Sequence, residues 1–170
     1  MNNKMESFDR LREAAETVAK RAHQIAPPTA QELVDLFEQA GFFEAIEYGP
    51  IEEDGRLEKR ASHGHADVLI RSFTGCLLAL LQIESPDTHI AEAYPRFAQH
   101  VQDLLGRLPD TLALTNGNEL WLFPVSGGHL QQTHWEFNLS NLNKEQAQIL
   151  YKNLNQHSIN WGRHLRAPHL

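Results

Sequence analysis

The chain is short of cysteine, of cations and of long apolar runs. Its single cysteine, Cys76, excludes an intrachain disulfide, and with it the small secreted scaffolds stapled by cystine. Lys and Arg number 15 against 22 Asp and Glu, a formal charge of −7 with ten histidines counted neutral. Non-specific affinity for nucleic acid comes from cations on phosphates. The balance therefore counts against a free-standing DNA binder, and less against a module of a larger enzyme. The longest apolar run, Cys76 to Leu81, is far below the ~20 residues that span a bilayer. The segment Met1 to Arg12 is polar and charged, unlike a signal peptide. Walker, Gly-x-Gly-x-x-Gly and Gly-x-Ser-x-Gly loops are also missing. A cytoplasmic protein with no membrane contact is the expectation.

What remains is ordinary for a globular chain: 170 residues, 41% hydrophobic and 22% charged. One domain is expected over residues 1–160. Residues 161–170 (WGRHLRAPHL) carry no helical or strand pattern and read as a tail or linker. Leu11, Ala15, Val18 and Ala22 recur at helical spacing within a helix from Phe8 to Ile25, which Pro27-Pro28 ends. Thr29-Ala30-Gln31-Glu32 forms a capping box for a second helix, with Leu33, Leu36 and Phe37 on its apolar stripe and Gly41 at its end. A short strand at about Phe43 to Tyr48 and a loop from Gly49 to Gly64 are expected next.

The most informative stretch follows. His65 to Phe73 and Cys76 to Glu84 flank Thr74-Gly75 and read as a β-hairpin. Leucines on both faces of its second strand predict a sheet covered on both sides, hence an α/β architecture. Cys76 is expected in the core of that strand. Beyond the break at Ser85-Pro86-Asp87, a helix is predicted from Thr88 to Leu108, kinked or restarted at Pro95. A strand over Thr111 to Leu114, a turn at Asn116-Gly117 and a strand from Glu119 to Val125 make a second hairpin. Leu130 to Phe137 reads as an edge strand. A final helix, about Lys144 to Leu154, is expected to be capped by Ser140 or Asn141.

A two-residue turn in the first hairpin sets Asp67 directly opposite Gln82. Glu84 then shares their face, one diagonal step away. Two carboxylates and an amide oxygen are hard donors suited to Mg²⁺. The inference rests on register, because a one-residue slip would turn Asp67 to the other side.

These residues resemble the PD-(D/E)xK nuclease superfamily, and within it the N-terminal domain of type I restriction enzyme R subunits. That pattern is an Asp opening a strand, a strand ending in Glu-x-Lys-x-Pro, a helix with a conserved Gln, and Thr-Asn-Gly before an aromatic strand. The matches are Asp67, then Gln82-Ile83-Glu84-Ser85-Pro86, then Gln99 and Gln102, then Thr115-Asn116-Gly117 leading to Trp121-Leu122-Phe123. They span about Glu32 to Val125. The resemblance implies a restriction-endonuclease-like mixed central sheet flanked by helices. It also implies a catalytic set of Asp67, Gln82 and Glu84, with Mg²⁺ on Asp67 and Glu84 if the site is active. Glu32 matches a position where the family adds a third acidic ligand, although its capping role accounts for it too. Lys59 and Arg60 are the candidates for DNA phosphate.

The pattern departs from the family where chemistry is done. Gln82 stands at the family Glu and Glu84 at the family Lys. The Tyr expected four residues after the helix Gln is Asp103 or Gly106. Replacing that cation by an anion removes the positive group beside the scissile phosphate. The resemblance therefore implies a nuclease-like domain of a DNA restriction or defence system with impaired or lost cleavage. Such a domain would engage DNA or dock to other domains or subunits of the complex. An active Mg²⁺-dependent endonuclease and a protein-interaction scaffold without DNA contact stay open.

Among the histidines, His63-Gly64-His65-Ala66-Asp67 matches the start of the His-x-His-x-Asp-His zinc motif of the metallo-β-lactamase fold. The match stops at Val68, which leaves loop histidines before a buried strand as the expectation. His89, His100, His129, His134, His157, His164 and His169 show no metal spacing.

Overall fold

A computed structural model describes residues 2–26, 29–46, 57–62, 64–71, 76–105, 108–131 and 134–155. Helices α1 (Asn2–Ala22), α2 (Ala30–Gln39) and α3 (Phe42–Ala45) precede strands β1 (Leu57–Ser62), β2 (His65–Arg71) and β3 (Leu77–Glu84). Helix α4 (Ile90–Leu105) leads to β4 (Thr111–Thr115), β5 (Glu119–Ser126), β6 (His129–Leu130) and β7 (Trp135–Asn138). Helix α5 (Lys144–Leu154) follows a short 3₁₀ turn. The sheet runs β1-β2-β3-β4-β5-β6, with β7 also on β5. β3 and β4 are parallel, joined through α4, and the other pairs are antiparallel. The expected α/β class, a mixed open sheet flanked by helices, is the one observed.

Alternation along the strands explains the two layers. Ala66, Val68, Ile70, Leu81, Ile83 and Leu122 join the core made with α1, α2, α3 and α5. Leu69, Leu80, Leu112, Leu114 and Phe123 face the other way, under Ile90, Ala93, Phe97 and Val101 of α4. Complete burial of Ile90, Phe97 and Val101 contributes roughly 1.5–3 kcal/mol for each side chain. Tyr94 stacks on Phe123 at 5.3 Å, which adds to the seal. α4 is thus held on the sheet by apolar packing, and it continues through Pro95 without restarting.

Several expectations change. Phe42-Phe43-Glu44-Ala45 is helical, not a strand, because Phe37, Phe42 and Phe43 pack ring on ring against the α-layer; residues 47 and 48 lie outside the described residues. The expected loop contains β1, an edge strand whose Glu58, Lys59 and Arg60 give it no apolar signature. The hairpin register holds from His65↔Glu84 to Ile70↔Ala79 and slips by one at Arg71↔Leu77. Leu78 and Ala79 consequently both enter the α1–α2 core. Cys76 precedes the strand and is exposed, not core. The turn residues Thr74 and Gly75 lie outside the described residues, as do 161–170. The last helix is capped by Asn143, in a reciprocal box with Gln146, and not by Ser140 or Asn141. The edge strand comprises two short pieces, β6 and β7.

Candidate metal and acidic site under helix α4

Asp67 pairs directly with Gln82, and Glu84 pairs with His65. All four side chains lie on the α4 side of the sheet, since their neighbours Ala66, Val68 and Ile83 face the opposite core. Asp67, Gln82 and Glu84 are 3%, 2% and 2% exposed. The register that sets these three residues together is the one the spacing predicted.

Helix α4 supplies the rest. His100 Nε2 and Asp67 Oδ2 share a hydrogen bond at 2.8 Å, in which the Nε2–H tautomer donates to the carboxylate. Arg96, one turn earlier, brings Nη2 to 3.6 Å from Glu84 Oε2. Gln82 Nε2 donates to Glu84 Oε1 at 2.7 Å. The His65 ring meets the His100 ring edge to face at 4.7 Å, with its Nε2 4.0 Å from Asp67 Oδ2. That distance is too long for a hydrogen bond. Accordingly His65 Nε2, Asp67 Oδ1 and Gln82 Oε1 are buried without a hydrogen-bond partner. Each such atom costs about 1–3 kcal/mol, a cost the apolar packing of α4 must offset.

The other candidates lie apart. Glu32 is exposed on α2, where its backbone N–H takes the Thr29 cap, and it lines a cavity of about 340 Å³ with Arg21, Gln24 and Asp35. Lys59, opposite Val68, turns to the α2 side and lies 3.8 Å from Asp35. Arg60 is directly opposite Asp67, and its Nε donates to Glu58 at 2.9 Å. Gln99 is exposed and bonds Asp103 on its own helix, and Gln102 is exposed. Thr115-Asn116-Gly117 is a structural loop. Asn116 Nδ2 donates to Thr88 O at 2.8 Å, and its Oδ1 accepts from the N–H groups of Asn118 and Glu119. Trp121 and Phe123 pack beneath α4.

Arg96 carried no expectation from the sequence, and His100, expected to show no metal spacing, stands within the cluster. The signal for both was present: each is within four residues of the buried Phe97, on the flank of the stripe Ile90, Ala93, Phe97 and Val101. His65 shares a face with Asp67 by the same parity that placed Gln82. Among the described residues, His65, Asp67 and His100 form the group able to hold a metal, with ligand atoms all within 4.8 Å of one another. No described helix is long and apolar enough to cross a membrane. No family model, curated protein or solved structure matches the chain.

Proposed function

We propose that this chain is a nuclease-like domain of a DNA restriction or defence system that has lost cleavage, and that it works in the cytoplasm by docking to other domains or subunits. The observation that carries the reading is the closure of the acidic cluster. Asp67 and Glu84, nearly fully buried, are held by His100, Gln82 and Arg96 of the same chain. Phosphodiester hydrolysis of this class needs carboxylate oxygens presented to Mg²⁺ and to a phosphate. Mg²⁺ demands a near-octahedral shell of oxygens. Here the amide of Gln82 and the guanidinium of Arg96 cover Glu84, and imidazole nitrogens surround Asp67. The residues present do not fit Mg²⁺.

The net charge of −7 supports docking over direct DNA engagement. So does the pairing of both candidate phosphate contacts, Lys59 with Asp35 and Arg60 with Glu58. The order of motifs from Asp67 to Thr115-Asn116-Gly117, laid on a mixed sheet, supports the kinship.

The test is a plasmid-nicking assay in Mg²⁺ and in Mn²⁺, with duplex DNA binding followed by fluorescence anisotropy at low salt. Wild type and Asp67→Ala are expected to match the buffer control in both. Cleavage by wild type that Asp67→Ala abolishes would overturn the reading in favour of an active endonuclease. Tight DNA binding would overturn the docking assignment.

A further inference from the structure

We propose that His65, Asp67 and His100 form a site for one divalent transition ion of the Zn²⁺ class, which ties α4 to β2. The inference is independent of what the domain docks to.

The donor set comes first. Two imidazole nitrogens and one carboxylate oxygen are the borderline ligands of Zn²⁺ and its neighbours, whereas Mg²⁺ and Ca²⁺ take oxygens. A tetrahedral Zn²⁺ lies at about 2.0–2.1 Å from each donor, so its donors are about 3.3 Å apart. The contact from His100 Nε2 to Asp67 Oδ2 is 2.8 Å and that from His65 Nε2 is 4.0 Å. One must open and the other close, each by under about 1 Å, and the two imidazole nitrogens, within 4.8 Å of each other, must approach by up to about 1.5 Å, all by side-chain rotation. As a ligand through Nε2, the His100 imidazole is neutral and carries its ring hydrogen on Nδ1.

A second observation points to a ligand independently of that spacing. Asp67 is 3% exposed, yet its Oδ1 has no hydrogen-bond partner, and neither has His65 Nε2. Buried polar atoms in native structures are normally paired. A cation held by Asp67 Oδ2 would take His65 Nε2 as a ligand, and would meet Oδ1 by bidentate coordination or through a metal-bound water. Gln82, directly opposite Asp67 and 2% exposed, adds a third unpartnered acceptor, Oε1. It is placed to serve as a fourth ligand or to accept from a metal-bound water. Two of the ligands belong to one strand and the third to a helix 33 residues on, so the ion would act as a cross-link between layers.

The protein stripped with EDTA is titrated with ZnCl₂ and, separately, MgCl₂ by calorimetry, with thermal unfolding in parallel. One equivalent of Zn²⁺ is expected to bind and raise Tm, and Mg²⁺ to do neither. His100→Ala and Asp67→Asn are expected to weaken Zn²⁺ binding by at least about 100-fold, beyond the 10–100-fold typical of losing an outer-shell partner. Because the His100 side chain is 28% exposed, its removal leaves the core intact, which far-UV circular dichroism checks. His65→Gln is the second ligand variant should one fail to fold. His129→Ala, an exposed histidine outside the cluster, is expected to bind as wild type does. Absence of saturable Zn²⁺ binding to folded wild type overturns the proposal. So does binding that the ligand variants leave unchanged, or an equal response to Mg²⁺.

Discussion

Glu84 Oε2 lies 3.6 Å from Arg96 Nη2, so the buried carboxylate on β3 meets a cation from the helix above it. The pair is lopsided: the Glu84 side chain is 2% exposed and that of Arg96 is 68%. A buried charge that loses its partner is costly, while a solvated one is not. Arg96→Met is therefore expected to destabilise by about 1–3 kcal/mol. Glu84→Gln, which keeps an acceptor for Gln82 Nε2 and frees a solvated guanidinium, is expected to cost less. Urea unfolding midpoints of the two variants decide it. A larger loss in Glu84→Gln would show that the cluster depends on its negative charge rather than tolerating it.

Gly117 has φ 87°, in the left-handed region. A Cβ there would stand 2.8 Å from Leu33 Cδ1 and 3.1 Å from Ala22 Cβ. Strain and crowding act together, so Gly117→Ala is expected to cost about 1–3 kcal/mol. Thermal unfolding of Gly117→Ala checks this, and an unchanged Tm would remove the structural account of the Thr-Asn-Gly loop.

Neighbouring Asn116, 7% exposed, ties the β4–β5 loop to the approach to α4 through Thr88. Asn116→Ala strands the Thr88 carbonyl and two backbone N–H groups. A loss of about 2 kcal/mol or more is expected from hydrogen bonding alone. Hydrogen exchange should also show faster exchange in the first turn of α4. Uniform destabilisation without that local signature would mean the tie is not specific to α4.

The legible features of the chain were those set by local spacing. The pairing of Asp67 with Gln82 followed from hairpin parity, and the capping of α2 by Thr29 from a four-residue pattern. Features decided by tertiary packing were misread. Phe43, expected in a strand, is helical together with Phe42, and Phe37 offers both of them ring contacts. Leu57–Ser62 is a strand because β2 presents a free edge, not because its own residues favour one. Cys76 falls just before β3, and the register slips at Arg71↔Leu77, which no local pattern announces. The site was half legible for the same reason. Two strands adjacent in sequence reveal which of their residues meet, but periodicity cannot say that a helix flank bearing Arg96 and His100 closes over those two strands.

Glu58 offers a pH-dependent test on the edge strand β1. Its carboxylate accepts from Arg60 Nε at 2.9 Å and from Arg71 Nη2 at 3.1 Å. The Arg60 hydrogen bond above all, with Arg71 helping against a smaller desolvation penalty, holds its pKa below the ordinary 4.5. A folded-state pKa below the unfolded value means that ionised Glu58 stabilises the fold. That contribution is complete above about pH 4.5 and disappears as pH falls through the folded pKa. With a side chain 41% exposed, the pair is worth at most about 1 kcal/mol. Glu58→Gln is therefore expected to be slightly less stable than wild type at pH 7 and to converge with it below pH 4.5, with the pH 7 difference shrinking in high salt. Urea midpoints across that range measure it, and a difference that persists or grows at low pH would show that Glu58 acts through packing rather than charge.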